Sequence, residues 1–199
     1  MAKARQGSKN GLEVIAGTVK TASRKGPPPV HLWNPAYCGE IDMRIAADGT
    51  WFYQGTPIGR PALVKLFASI LKREGERYFL VTPVEKCGIL VEDAPFMAVE
   101  LQVEDRGAQQ LCFRTNVDDW IACGAGHPLR FEPEQATGGL KPYIHVRRDL
   151  WAKVNRAVLY DLVDLGETRE IAGARMFGVA SAGQFYAMAP ADSLEDITP

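Results

Sequence analysis

The 199-residue chain has 46% hydrophobic and 24% charged residues, ordinary values for a globular protein. Its net charge of −1 argues against nucleic-acid binding by the molecule as a whole, which needs a basic surface. No apolar run approaches the ~18 residues of a membrane span. The start Met-Ala-Lys-Ala-Arg-Gln lacks the apolar core of a secretory signal, so a cytoplasmic location is expected.

The length allows one large domain or two small ones. Residues 1–29 form a basic arm, with Lys3, Arg5, Lys9, Lys20, Arg24 and Lys25 against Glu13 alone. Within it Leu12 to Val19 has the pattern of a short amphipathic helix, which Gly17 weakens. Pro27-Pro28-Pro29 is a rigid extended spacer. The segment Cys38 to Arg60 then reads as a hairpin closed by Asp48-Gly49, because Asp-Gly between β-rich runs favours a two-residue turn. That turn predicts Arg44 opposite Tyr53 and Ile45 opposite Phe52. One face would carry Ile41, Met43, Ile45 and Phe52, and the other Asp42, Arg44, Trp51 and Tyr53. Aromatic rings beside a guanidinium suit a contact surface, although Trp51 and Tyr53 would equally well cover a helix.

Beyond Arg60-Pro61 the period changes. Leu63, Leu66, Phe67, Ile70 and Leu71 mark one face of a helix over 62–72, ended by Glu74-Gly75. Strands are predicted at Tyr78–Val81 and Cys87–Val91, with Thr82 to Lys86 as a loop between them. Met97–Val103 alternates as a half-buried strand, turned by Arg106-Gly107, and Leu111–Thr115 returns. Short strands follow at Trp120–Ala122, Leu129–Phe131 and Tyr143–Val146. Asp149 is expected to cap a second helix through Leu150, Val154, Ala157, Val158 and Leu162, with Gly166 after its end. A last hairpin, Met176–Val179 with Gln184–Met188, turns near Ala182-Gly183. The organisation is thus an arm (1–29), an N-terminal α+β domain (30–84), a C-terminal β-rich domain with a long helix (85–190) and an acidic tail (191–199). Strands feeding one helix in each half suggest duplication of a β-sheet-plus-helix unit.

Nucleotide-binding glycine loops, a Gly-x-Ser-x-Gly elbow and His-Glu-x-x-His are all absent. The cysteines at 38, 87, 112 and 123 match no zinc spacing and read as thiols in a reducing compartment. The histidines (His31, His127, His145) are scattered. No cofactor or metal is implied.

The segments Trp33-Asn34-Pro35, Cys38 to Arg60, Leu63 to Phe67, Leu80 to Lys86, Asp93 to Phe96, Phe113 to Asn116 and Pro142 to Val146 stand out together, and together they resemble an uncharacterised bacterial family, domain of unknown function 1285. The resemblance implies two α+β domains related by duplication, the second superficially pleckstrin-homology-like. It also implies a cleft between the domains and a role in signal transduction, with a nucleotide-like ligand. The family's last hairpin often carries Trp-Ser-Gly-Gly, where this chain has Ala180-Ser181-Ala182-Gly183.

The first functional reading is a non-catalytic sensing module for an anionic, nucleotide-like small molecule lying between the two domains, with rings stacking on a base and Arg side chains holding phosphate. Arg44, Trp51, Tyr53 and Arg60 are its candidates in the first half, and Lys86, Arg114, Asn116, Tyr143 and Arg147 in the second. The second reading is a protein-interaction module that offers a strand edge or groove. An enzyme using Glu85, His145 or Cys38 ranks third, because no pair stands at catalytic spacing.

Overall fold

The computed structural model describes Gly17 and residues 28–105, 107–134 and 138–192. Most of the expected basic arm, Arg106 of one expected turn and nearly all of the tail lie outside the described residues. Within the arm's expected helix, Gly17 is helical. The chain divides into two compact units, Met1–Glu92 and Asp93–Pro199.

The first unit contains β1 (Tyr37–Ile45), β2 (Trp51–Tyr53), β3 (Thr56–Pro57), α1 (Pro61–Ser69), β4 (Leu71–Glu74), β5 (Arg77–Val81) and β6 (Lys86–Val91). They build one sheet in the order β3-β2-β1-β6-β5-β4. The central β1–β6 pair is parallel and the other pairs are antiparallel. Arg60 is extended and Pro61 opens α1, where its missing N–H costs nothing. The helix buries Phe67 and Ala68, and Phe67 stacks on Trp51 at 6.4 Å between ring centroids. Met43, Ile45, Ile70, Leu71 and Leu80 complete this core.

The second unit contains β7 (Phe96–Asp105), β8 (Gln109–Thr115), β9 (Trp120–Ala122), β10 (Leu129–Pro133), β11 (Leu140–Arg147) and β12 (Leu150–Val154). After them come α2 (Arg156–Asp164), β13 (Glu167–Ile171), β14 (Ala174–Ser181) and β15 (Gln184–Pro190). Its six-stranded sheet runs β10-β11-β12-β7-β8-β9, and β13-β14-β15 form a separate sheet. Here too the first and last strands of the six, β7 and β12, lie parallel at the centre. The core holds Phe96, Ala98, Leu111, Phe113, Ile144, Leu150, Ala152 and Leu162.

Strands dominate, and each unit has one nine-residue α-helix among the described residues. The α+β expectation therefore gives way to a mostly β architecture. Both helices are shorter than the periodicity predicts. The first ends at Ser69, so Leu71 opens a strand, and Gly75 (φ 60°) begins the turn into β5. The second starts at Arg156, because Asn155, not Asp149, is its cap and accepts from the Val158 N–H at 2.8 Å. Leu150 and Val154 are four apart, which fits a helix face. With Ala152 they also fit the alternation of a strand, and Leu150, Ala152 and Val154 are buried there while Trp151 and Lys153 are partly open.

The strand β13 was not expected from sequence, since every residue of Glu167–Ile171 is exposed. The last hairpin forms as expected, with Ala182 (φ 50°) and Gly183 (φ 74°) as its two-residue turn. Lys86 begins β6 instead of ending a loop. Because β6 pairs with β1 and β5, the first unit reaches Glu92, beyond the expected boundary at 84. No helix among the described residues is long and apolar enough to cross a membrane.

Candidate functional site

The β1–β2 hairpin is not closed by a two-residue turn. Ile45 pairs with Trp51, which leaves five residues between the strands. Gly49 N–H donates to the Ala46 carbonyl at 2.9 Å, Ala46 N–H donates to Thr50 O at 2.9 Å, and Gly49 sits at φ 82°. Thr50 N–H donates to the Asp48 carboxylate at 2.9 Å. The turn is therefore built around Ala46–Gly49, with glycine in the left-handed position. This moves β2 by one residue relative to the predicted register, and a one-residue slip exchanges the faces of a strand. Trp51 pairs with Ile45 and is buried, while Tyr53 pairs with Met43 and is half-buried. Phe52 takes the outer face, opposite Arg44.

The Arg44 guanidinium lies 4.2 Å from the Phe52 ring centroid. It also pairs with the Glu92 carboxylate. The Glu92 carboxyl is held below its ordinary range, first by the Ala47 N–H at 3.0 Å and then by Arg44. Around this stack is an open groove of about 330 Å³, lined by Glu40, Asp42, Arg44, Phe52, Gly55 and Leu90, among others. Glu40 accepts from Tyr37 Oη at 2.7 Å and pairs with Arg77. Its carboxyl is lowered chiefly by the Tyr37 bond and then by Arg77. Leu90 is 58% exposed and adds an apolar side chain to the groove lining.

The remaining first-half candidate, Arg60, is exposed at the start of α1, and Lys86, counted with the second half, also lies in the first unit. Lys86 is held at 2.9 Å by Glu74 and lies 5.1 Å from the Phe79 ring.

In the second unit Tyr143 is buried and donates to Asp93 at 2.7 Å, and Lys153 donates to the other oxygen of Asp93 at 2.7 Å. Burial works to raise the Asp93 carboxyl, but the bonds from Lys153 and Tyr143 outweigh it and leave the group lowered. Burial and Asp93 together push the Tyr143 phenol well up. Arg130 covers both Tyr143 (5.0 Å) and Trp151 (4.2 Å). Arg114 is paired with Glu100 at 2.5 Å and Asp118 at 2.8 Å. Asn116 accepts from Met97 N–H at 3.1 Å and so fixes the start of β7. Arg147 bonds Asp119 at 3.0 Å and lies over Phe96 at 4.9 Å, and burial lowers its pKa. In the last hairpin Ser181 is fully buried. It donates to Cys123 O at 2.8 Å and accepts from Leu111 N–H at 3.0 Å.

The structure therefore brings Arg44 into the groove and puts Trp51 in the core, with Tyr53 half-buried beside Met43. Lys86, Arg114, Asn116, Tyr143 and Arg147 all hold their own unit together. Sequence reasoning missed Phe52 and Leu90 as groove residues, because the predicted register turned Phe52 inward. It also missed the pairing of Asp93 with Lys153, which are far apart in sequence, although Asp93 lies in one of the segments that carry the family resemblance. As for the reactive groups of the enzyme reading, the His145 ring nitrogens face the carbonyls of Gly126 (3.1 Å) and Arg148.

Residues 28–94 match the model described as "Domain of unknown function (DUF1285), N-terminal domain". Residues 95–188 match "Protein of unknown function (DUF1285), C-terminal domain". A crystal structure of a DUF1285 family protein from Silicibacter pomeroyi DSS-3 is 52% identical. That alignment covers 91% of this chain and 97% of the other, with a TM-score of 0.81. A second, from Shewanella baltica OS155, is 31% identical over 61% of this chain and 89% of that one, with a TM-score of 0.49. No curated protein matches the chain. The chain is a two-domain, mostly β protein and belongs to the DUF1285 family.

Proposed function

We propose that this protein is a cytoplasmic, non-catalytic ligand-sensing module for signal transduction, and that an anionic, nucleotide-like small molecule occupies the groove on the outer face of the first sheet. The observation that carries the reading is the Arg44–Phe52 stack in a groove that also holds the carboxylates of Glu40 and Asp42. A guanidinium recognises phosphate, an aromatic ring stacks on a base, and a carboxylate accepts from a base amino group. One guanidinium shared with Glu92 suits a single phosphate better than a chain of three. The groove volume lies at the small end of ligand sites. Cys38, Cys87 and Cys123 as thiols agree with a reducing compartment.

The finer reading of the fold belongs to the same proposal. Duplication is supported by the shared strand order, in which the first and last of six strands lie parallel at the centre. The pleckstrin-homology likeness of the second unit is supported by its strands, antiparallel apart from the β7–β12 pair, with α2 packed on β7 and β14.

The test is a thermal-shift screen of nucleotides and phosphorylated metabolites on the full chain. Ligand at ~100 times its Kd adds about 2.7 kcal/mol, a shift on the order of 5–10 °C for this size. The reading expects a hit that Arg44→Ala abolishes. A hit indifferent to Arg44→Ala would move the site elsewhere, and a null across the library would overturn the reading. A protein-interaction module is the second reading, supported by the fully exposed edge strand β13. It would be favoured by a null screen together with a protein partner whose binding is lost in Ile171→Asp.

A further inference from the structure

Sequence spacing gives no metal pattern, yet the fold gathers three metal-ligating side chains at one end of the first sheet. The thiols of Cys38 and Cys87 and a carboxylate oxygen of Glu85 all lie within 4.8 Å of one another. Two local features produce this. Tyr37 pairs with Lys86 and Gly39 with Cys87, so Cys38 is an extra residue in β1, a bulge, with Gly39 at φ 104°. Bulges re-aim a side chain out of strand alternation. Glu85 is fixed by a turn built on the buried Thr82. The Thr82 hydroxyl accepts from the N–H groups of Val84 (3.3 Å) and Glu85 (3.2 Å), while Thr82 N–H donates to the Glu85 carbonyl at 2.9 Å. Cys87 is buried and Cys38 is exposed, so the cluster is anchored on one side and open on the other.

We propose that Cys38, Glu85 and Cys87 form a zinc site with three protein ligands and a fourth position open to water or another ligand. Zinc bonds of ~2.3 Å to sulfur and ~2.0–2.2 Å to oxygen place neighbouring donors about 3.6–3.8 Å apart in a tetrahedron. The cluster therefore closes by at most about 1.2 Å to reach that geometry. Two thiolates with one carboxylate favour zinc over magnesium or calcium, whose ligands are all oxygen. Binding displaces the thiol protons into solvent. The metal would tie the β1 bulge to the turn that leads into β6. The inference is independent of the ligand reading above.

The test uses the full chain stripped with a chelator and titrated with zinc chloride against a chromophoric chelator at neutral pH. The expected result is one zinc per chain with proton release, and protection of the exposed Cys38 thiol from a thiol reagent. Cobalt in place of zinc should give the thiolate charge-transfer and tetrahedral d–d bands. Cys38→Ser and Glu85→Gln alter exposed or half-buried side chains, so folding is retained. Each should weaken zinc by more than about tenfold. Zinc binding only at millimolar concentration, or unchanged in Cys38→Ser, overturns the site. So does a Cys38–Cys87 disulfide in protein that takes up no zinc.

Discussion

The two six-stranded sheets share one strand order but use polar groups on their outer faces differently. On the first sheet the pairs beside the groove are half-open, while Lys86 and Glu74 are 16% and 34% exposed. Arg44 and Glu92 are 36% and 38% exposed, and Arg77 and Glu40 are both 57% exposed. Pairs this wet contribute little to stability, which leaves their charges available to a ligand. On the second sheet Asp93 and Lys153 are 16% and 23% exposed and Tyr143 is 5% exposed. These polar groups are spent on one another. The same topology thus carries an accessible polar face in one unit and a structural polar cluster in the other. A segment that carries the family resemblance, such as Pro142 to Val146, therefore does not by itself mark a binding site.

The largest effect that can break this comparison tests which face each hairpin residue takes. Trp51 is 2% exposed against Phe67, so Trp51→Ala should cost about 3–5 kcal/mol. Phe52→Ala, from the half-open outer face, should cost about 1–2 kcal/mol, well below a core deletion. Urea midpoints of the two variants check this. A reversed order would mean that the Asp48-Gly49 two-residue turn holds after all, and that Arg44 lacks its aromatic partner.

The second effect is the pH dependence of the Asp93 cluster. The folded-state pKa of Asp93 is lowered, so its stabilisation is present above the ordinary carboxylate pKa of about 3.9 and is lost as the pH falls through the folded value. Asp93→Asn leaves the Lys153 ammonium without its charge partner. It should cost about 1–3 kcal/mol at neutral pH, less than a fully buried pair because both groups are partly wet. The gap between parent and variant should narrow as the pH falls below the ordinary carboxylate range and close once the pH has passed below the lowered folded value. A gap that stays constant with pH would mean that Asp93 contributes shape and neutral hydrogen bonding, not charge.

The elements legible in the sequence were those whose period has one solution. Met97–Val103, Tyr78–Val81 and the Ala182-Gly183 hairpin fall where alternation and turn chemistry put them. The misreadings share a physical cause. Leu150, Ala152 and Val154 satisfy both a helix step of four and a strand step of two, and only burial between neighbouring strands decides. Leu71 continues the helical face of Phe67 but pairs with Leu80 instead. Asp48-Gly49 is a strong turn signal, yet loop length sets register, and the sequence does not state whether Ala46 and Ala47 belong to the strand or the turn. Arg44 was legible as an outer-face residue because it lies on that face in either register, and the structure puts it in the groove. Phe52 was not, since its face depends on that loop. Cys38, Glu85 and Cys87 come together only through a bulge, which no spacing rule announces.

The smallest effect sharpens the comparison most, because its sign depends on one side chain. At Gly88 in β6 a Cβ would meet the Glu40 carboxylate at 2.2 Å. The obstacle is the end of an exposed, flexible side chain, and Gly88 has no positive φ. Gly88→Ala should therefore cost less than about 1 kcal/mol, the worth of the Glu40–Arg77 pair it displaces. At Gly178 in β14 the added Cβ would instead meet the Tyr186 backbone carbonyl at 2.2 Å, which cannot move aside, and the cost should reach about 1–3 kcal/mol. In a Glu40→Ala background the obstacle at position 88 is gone. The lower chain entropy of alanine in the unfolded state should then make Gly88→Ala stabilising by about 0.4–1 kcal/mol. A double-mutant cycle on urea midpoints reads this inversion directly. A cost at Gly88 that persists without Glu40 would mean that the strand backbone sets the limit there. The outer face of the first sheet would then be as tightly built as that of the second.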